Sequence, residues 1–213
     1  MNEVWVVWPG AIPKKSIPLI DAWHDQGYKV AVLVNPPHTH NDLSTADRVI
    51  VQKEWKGFAT AVNILCHNVP GDIVVVAGDD MYPDQDKTAQ EIATEFQDRF
   101  PDLFGVMQPI GDKYGSIESC AVSPWIGRAF ITKVYGGNGP YWEEYVHYYT
   151  DEELQAVATQ LGVFQQRPDL SHYHDHWSRR KDKRPEYLMK ALYAHANDGA
   201  LFRKRKRAGF PTL

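Results

Sequence analysis

The chain has 213 residues, enough for one domain with a substantial core. At 43% hydrophobic and 23% charged, with seven Trp and eleven Tyr, it is neither disordered nor fibrous. The net charge of −4 conceals a division: residues 1–178 carry 12 Lys and Arg against 24 Asp and Glu, and residues 179–213 carry 11 against 3. A basic end on an acidic body points to a polyanionic partner, with a merely solvated tail as the plainer reading. Cys66 and Cys120 lack the spacing of a disulfide framework or a thiolate metal site, which fits a reducing compartment, the cytoplasm.

The apolar start Val4 to Trp8 is stopped by Pro9 and Gly10, so it predicts a buried strand rather than a signal peptide or transmembrane segment. Ser16 to Gln26 has helical spacing at Ile17, Ile20 and Trp23, with Gly27 as a stop. Lys29 to Val34 and Arg48 to Gln52 read as strands, and Phe58 to Asn68 as a helix ended by Pro70 and Gly71. The wholly apolar Ile73 to Ala77 is a strand of the kind covered on both faces. Strand and helix alternate, which predicts an α/β fold with a mostly parallel sheet flanked by helices. Further on, the pattern gives a helix over Asp86 to Phe100, a strand over Phe104 to Pro109 and a mixed stretch over Val122 to Val134. A loop at Gly136 to Pro140 and a helix over Thr150 to Leu161 follow. Residues 1–178 are taken as one domain and 179–213 as a basic extension with one helix over Pro185 to Asn197.

Three segments carry candidate chemistry. Gly78-Asp79-Asp80 follows the most apolar strand, and in open α/β sheets ligands bind beyond the carboxyl ends of the strands. Adjacent carboxylates there suit Mg²⁺ or Mn²⁺, although Gly, Asp and Pro are also ordinary turn residues. In an extended His172-Tyr173-His174-Asp175-His176 the three imidazoles share one face, as metal ligands or as hydrogen-bonded surface groups. Thr150-Asp151-Glu152-Glu153 has the spacing of a capping box, which also fixes an acid rigidly at a loop mouth, where it can accept a proton.

Taken in order, Gly57, Ala59 or Ala61 and Asn63, then Asp79-Asp80, then Asp151-Glu152-Glu153-Leu154 and a late His-rich segment resemble the GT-A fold glycosyltransferases of the family 2 type. The resemblance spans about residues 3–177, with Gly78 where a first acid often stands and Thr150 where a Glu is usual. It implies that Asp80 binds Mn²⁺ or Mg²⁺, joined by His174 or His176, and that Asp79 serves the nucleotide ribose or the metal shell. It implies a general base at Asp151, with Glu152 and Glu153 as alternatives. The donor is then a nucleoside-diphosphate sugar, first of all a UDP-sugar, lying near Pro9, Asn35, Lys53, Gly57 and Asn63. One base opposite the leaving group implies inversion of configuration.

Trp125, Tyr141, Trp142 and Trp177 are candidate stacking platforms for sugar or base, or core residues. The basic end, with Arg203-Lys204-Arg205-Lys206-Arg207, could follow a phosphate backbone. Some compact glycosyltransferases of this look in bacteriophages modify hydroxymethylated pyrimidines in DNA, which makes such a base a candidate acceptor and the host cytoplasm the location. A small sugar or a lipid-linked hydroxyl is the other acceptor class. Rival readings are a zinc metallohydrolase built on His172 to His176 and a non-catalytic nucleic-acid-binding protein. The oligomeric state is not legible.

Overall fold

A computed structural model describes residues 2–114 and 120–210. The first strands and helices come in the expected order: β1 (Val4–Pro9), α1 (Pro13–Asp25), β2 (Lys29–Val34), then, after a 3-10 turn at His40–Leu43, β3 (Arg48–Val51), α2 (Phe58–Asn68) and β4 (Ile73–Val76). Next come the short β5 (Met81–Tyr82), α3 (Ala89–Arg99), β6 (Val106–Pro109), β7 (Trp125–Gly127), α4 (Arg128–Lys133) and α5 (Thr150–Gln160). The chain ends with β8 (Phe164–Arg167), β9 (Tyr173–His174), α6 (Glu186–Ala191), a 3-10 turn at Leu192–Ala194 and α7 (His195–Arg207).

The main sheet has strand order β3-β2-β1-β4-β7-β6-β8. Its first four strands are parallel, and β7 runs antiparallel to both of its neighbours. Alternation within the buried strands explains why the sheet can be covered twice. Val4, Val6 and Trp8 enter one core layer with α1 and α3, while Trp5 and Val7 enter the other with α2, α4 and α5. Each fully buried side chain of this kind contributes about 1.5–3 kcal/mol relative to exposure.

Several boundaries move for identifiable reasons. Helix α1 starts at Pro13, whose fixed φ suits a first helical turn, rather than at Ser16, whose hydroxyl instead accepts from Trp8 Nε1 in the core. Helix α3 starts three residues later than the apolar spacing suggests, because Thr88 and Glu91 form a capping box.

The basic segment departs further from expectation. Instead of one helix over Pro185 to Asn197, α6, the 3-10 turn and α7 carry helix to Arg207. Leu201, Phe202 and Phe210 pack against the α2–α5 core layer, and Asp198 and Arg205 are buried. The split at residue 178 therefore does not coincide with a break in packing, since α7 closes one face of the same core.

Candidate active site

The parallel strands β1, β2 and β3 place Pro9, Asn35 and Lys53 at one edge, beyond their carboxyl ends, with Gly78-Asp79-Asp80 following β4 at the same edge. Asn35 Nδ2 donates to the Gln52 carbonyl at 2.7 Å, so its amide ties the β2 and β3 ends together, and Lys53 is exposed.

Beyond β4 the chain turns into β5, which pairs antiparallel with β9: Met81 faces His174 and Tyr82 faces Tyr173. That two-residue ladder carries His174 across to the acidic pair, although 94 residues separate it from Asp80 in sequence. His174 Nε2 lies 3.2 Å from Asp80 Oδ1, and the Asp175 amide donates to the Asp80 carbonyl at 2.8 Å. Burial pushes the Asp80 carboxyl up, but the His174 hydrogen bond and the charges of His174, His176 and Lys15 outweigh it and hold the carboxyl below its ordinary value. Asp79 is buried beside it.

The His176 ring stands 5.0 Å from that of His174, and His176 Nδ1 is engaged by Tyr114 Oη at 2.7 Å and Ser178 Oγ at 2.8 Å. A ligand bond from His176 would therefore come from Nε2. His172 behaves differently from its neighbours. It is buried, with Ser123 Oγ at 2.5 Å from Nδ1 and Trp125 Nε1 donating to Nε2 at 3.3 Å, and burial depresses its pKa to about 4. The three imidazoles expected on one face are thus divided, one in the core and two at the acidic pair. This removes the zinc set of the metallohydrolase reading, because both nitrogens of His172 are committed.

Among the described residues no group of three or more His, Cys, Asp and Glu side chains forms a metal cage. The donors that do converge, a low-pKa carboxylate and an imidazole, fit a divalent cation that keeps several waters and takes further oxygens from a substrate diphosphate. Sequence reasoning missed what braces this corner. Asp112 accepts from the His174 amide at 3.3 Å and pairs with Arg179, whose guanidinium lies 4.1 Å from the centre of the Tyr114 ring. These contacts join loops distant in sequence, and no local pattern announces them.

The third acidic segment opens α5. The capping box fails: Tyr149, at φ 66°, is the N-cap and supplies no side-chain bond, while Thr150 is already inside the helix. Glu153 turns instead to a buried network, where Arg205 donates to both of its oxygens at 2.7–3.0 Å and Tyr135 and Tyr145 hydroxyls donate at 2.8 and 2.7 Å. Glu153 is therefore spent on structure and leaves Asp151 and Glu152 as the candidates for a base. Burial, and next the charge of Glu152, raise the Asp151 carboxyl to about 8, against weak bonds from Thr150 Oγ1 and Tyr141 Oη at 3.3 and 3.4 Å. Burial raises Glu152 as well.

Gly57 and Asn63 support this segment rather than the sheet edge. Asn63 is buried and clamps Tyr141, donating to its carbonyl at 2.8 Å and accepting from its amide at 3.1 Å. Gly139, at φ 120°, leaves room for that clamp, since a Cβ there would lie 2.5 Å from Asn63 Oδ1. Gly57, at φ 106°, lets the Val146 carbonyl approach, where a Cβ would lie 2.7 Å away. Asn63 thus braces the loop that leads to Asp151. Of the four candidate platforms, Trp125 and Tyr141 are core residues, Trp142 is covered by Arg205 at 3.7 Å, and the half-buried Trp177 has Arg184 over its ring at 5.3 Å.

No family model and no curated protein matches the sequence. Solved structures do match. A mannosyltransferase from Pyrobaculum calidifontis, in complex with GDP-Man and Mn²⁺, superposes with TM-score 0.62 at 14% identity, over 82% of this chain and 57% of that one. S. aureus TarS 1–349 in complex with UDP gives 0.60 at 13% identity, over 80% and 59%. Glucosyl-3-phosphoglycerate synthase from Mycobacterium tuberculosis, with Mn²⁺, UDP and glucosyl-3-phosphoglycerate, gives 0.55 at 12%, over 84% and 75%. The chain thus spans less than two thirds of the length of the first two. With its 3-2-1-4 parallel half and antiparallel β7, it has the GT-A fold of these glycosyltransferases.

Proposed function

We propose that this chain is a metal-dependent glycosyltransferase that moves a sugar from a nucleoside-diphosphate donor to an acceptor hydroxyl with inversion of configuration. The single observation that carries the reading is the convergence of Asp80 and His174, 3.2 Å apart, beyond the carboxyl end of β4. Open α/β sheets bind ligands beyond the carboxyl ends of their strands, which supports this position, and the three structures above hold UDP or GDP-Man, two of them with Mn²⁺.

Asp80 and His174, with His176 Nε2 as a further donor, would hold Mn²⁺ or Mg²⁺, and Asp79 would serve the ribose or the metal shell. A divalent cation there supplies Lewis-acid neutralisation of the departing diphosphate. Pro9, Asn35 and Lys53 form the edge over which the nucleotide lies, with UDP the first nucleotide to test. Asp151 is the base. Held near neutrality by burial, it exchanges a proton with an acceptor hydroxyl close to physiological pH, where general-base catalysis is most effective. Its carboxylate Oδ takes the hydroxyl proton as the oxygen attacks the anomeric carbon from the face opposite the diphosphate, which gives inversion.

The acceptor reading rests on charge: Arg203, Lys204, Lys206 and Arg207 are exposed on α7, and a hydroxymethylated pyrimidine in DNA is the acceptor we assign to them. Arg205 does not belong to that surface. No helix among the described residues is long and apolar enough to cross a membrane.

A thermal-shift panel of UDP, GDP and their sugars, with and without Mn²⁺, tests the donor half. One nucleotide is expected to stabilise the wild type only with Mn²⁺, and Asp80→Ala to abolish the shift. Equal shifts in wild type and variant, or none with any nucleotide, would overturn the assignment.

A further inference from the structure

The stretch from His176 to His195 runs from the Asp80 corner to the start of α5. At one end the His176 ring lies 5.0 Å from His174, the partner of Asp80. At the other, His195 packs at 4.8 and 5.6 Å on Tyr148 and Tyr149, the residues immediately before α5 and Asp151. The stretch is therefore a strap anchored beside the acidic pair at one end and beside the start of α5 at the other.

Three of the eight exposed large apolar side chains among the described residues lie on this strap. Met189, 49% exposed, lies in α6, and Leu192 at 37% and Tyr193 at 87% lie in the 3-10 turn that follows, so an exposed apolar stripe runs over five residues of chain. A tyrosine exposed to this degree buries almost none of its ring, so folding does not account for it. Exposed cations lie on either side in sequence, Lys183 and Arg184 before the stripe and Arg203 and Lys204 after it.

We infer that Met189, Leu192 and Tyr193 are the surface that engages unstacked bases of a DNA acceptor, with the flanking cations on its phosphates. The inference rests on the DNA-acceptor reading above and gives it a contact surface. A base in a duplex reaches a buried site only after leaving the stack, and apolar or aromatic side chains that enter the gap offset the lost stacking. The exposed cations before and after it in sequence supply charge for the phosphates. An anionic membrane is the competing occupant. It suits the patch less well, because α7 turns Leu201 and Phe202 inward to the core, leaving about one turn of apolar surface where an interfacial helix presents a long apolar face.

The test uses the full chain and fluorescence anisotropy with a labelled duplex carrying one hydroxymethylated pyrimidine, plus 2-aminopurine at the neighbouring position to report unstacking. The expected result is binding at about 50 mM salt with a rise in 2-aminopurine emission. Tyr193→Ala should weaken binding at least about five-fold and remove the emission rise, with the salt slope unchanged. Arg203→Ala with Lys204→Ala should reduce the slope by about two and keep the emission rise on the DNA that is bound. If Tyr193→Ala binds and brightens like wild type, the contact surface is wrong and the DNA-acceptor reading stands. If the wild type ignores the duplex at low salt, both fall, and binding to phosphatidylserine vesicles in the same assay would identify the membrane as occupant. In every case the diphosphate thermal shift of Tyr193→Ala should equal that of wild type.

Discussion

At Asp151 the environment, more than the residue type, decides the chemistry. Loss of solvent and the adjacent Glu152 hold its carboxyl at about 8, whereas an unfolded Asp releases its proton near pH 4. Donor turnover should therefore rise with pH along an acid limb centred near 8, as the unprotonated base forms. Asp151→Asn should lower turnover by about 100-fold or more. The same shift fixes the sign of a stability effect. Between about pH 4 and 8 the folded chain keeps a proton that the unfolded chain gives up, so stability falls as pH rises through this window. Asp151→Asn removes that loss, and its melting temperature should exceed that of wild type at pH 8, the gap closing towards pH 4. A pH–rate limb near 4, or a variant that melts lower than wild type at pH 8, would show that Asp151 is an ordinary exposed carboxylate.

One scale up, α5 is held by α7 through Glu153 and Arg205, and the arrangement is costly to interrupt because both charges are buried, at 1% and 7% exposure. Arg205→Ala leaves Glu153 with two tyrosine hydroxyls and no cation, a change that typically costs about 3–5 kcal/mol. Chemical denaturation should register a loss of that size, while Lys206→Ala, one residue away and exposed, should change stability by no more than about 0.5 kcal/mol. Equal, small effects at both positions would mean that the network does not hold the helix. The pair also shows what a linear reading can reach. Periodicity recovers α2 to its end residues and the buried central strands, since each is set by its own apolar pattern and its own glycine and proline stops. The position of Asp79-Asp80 beyond β4 follows from the apolar strand before it, whereas the approach of His174 to Asp80 is set by the β5–β9 ladder, which no local pattern announces. The roles of Glu153, Asn63 and His172 were not legible either. Each looks locally like a cap, a ligand or a metal set, and each is decided by a partner far away: Arg205 for Glu153, Tyr141 for Asn63, Ser123 and Trp125 for His172.

For the molecule as a whole, the question is whether its basic end belongs to the fold. Charge divides the chain at residue 178, but charge records which surface meets solvent or a partner, and packing records what the core requires. Asp198 accepts from the amides of Val146, His147 and Tyr148 at 2.9–3.1 Å, so α7 satisfies backbone groups in the loop that leads to α5. Arg205 neutralises Glu153, and Phe210 is buried in the α2–α5 core layer. A chain ending at residue 178 would leave three amides unsatisfied, one buried carboxylate uncompensated and an apolar face uncovered. Each defect costs on the order of 1–5 kcal/mol, and their sum is comparable with the 5–15 kcal/mol that holds a typical domain together. Residues 1–178 expressed alone should therefore lack a cooperative thermal transition by circular dichroism and should bind hydrophobic dyes. Adding residues 179–213 as a separate peptide should not be needed if the division by charge were also a division by fold. A truncated chain that melts cooperatively at the temperature of the full protein would return the basic segment to the status of an appendage. It would also detach the proposed DNA surface from the segment that carries Asp151, because the strap from His176 to His195 owes its second anchor to the seating of α7 beside Tyr148 and Tyr149.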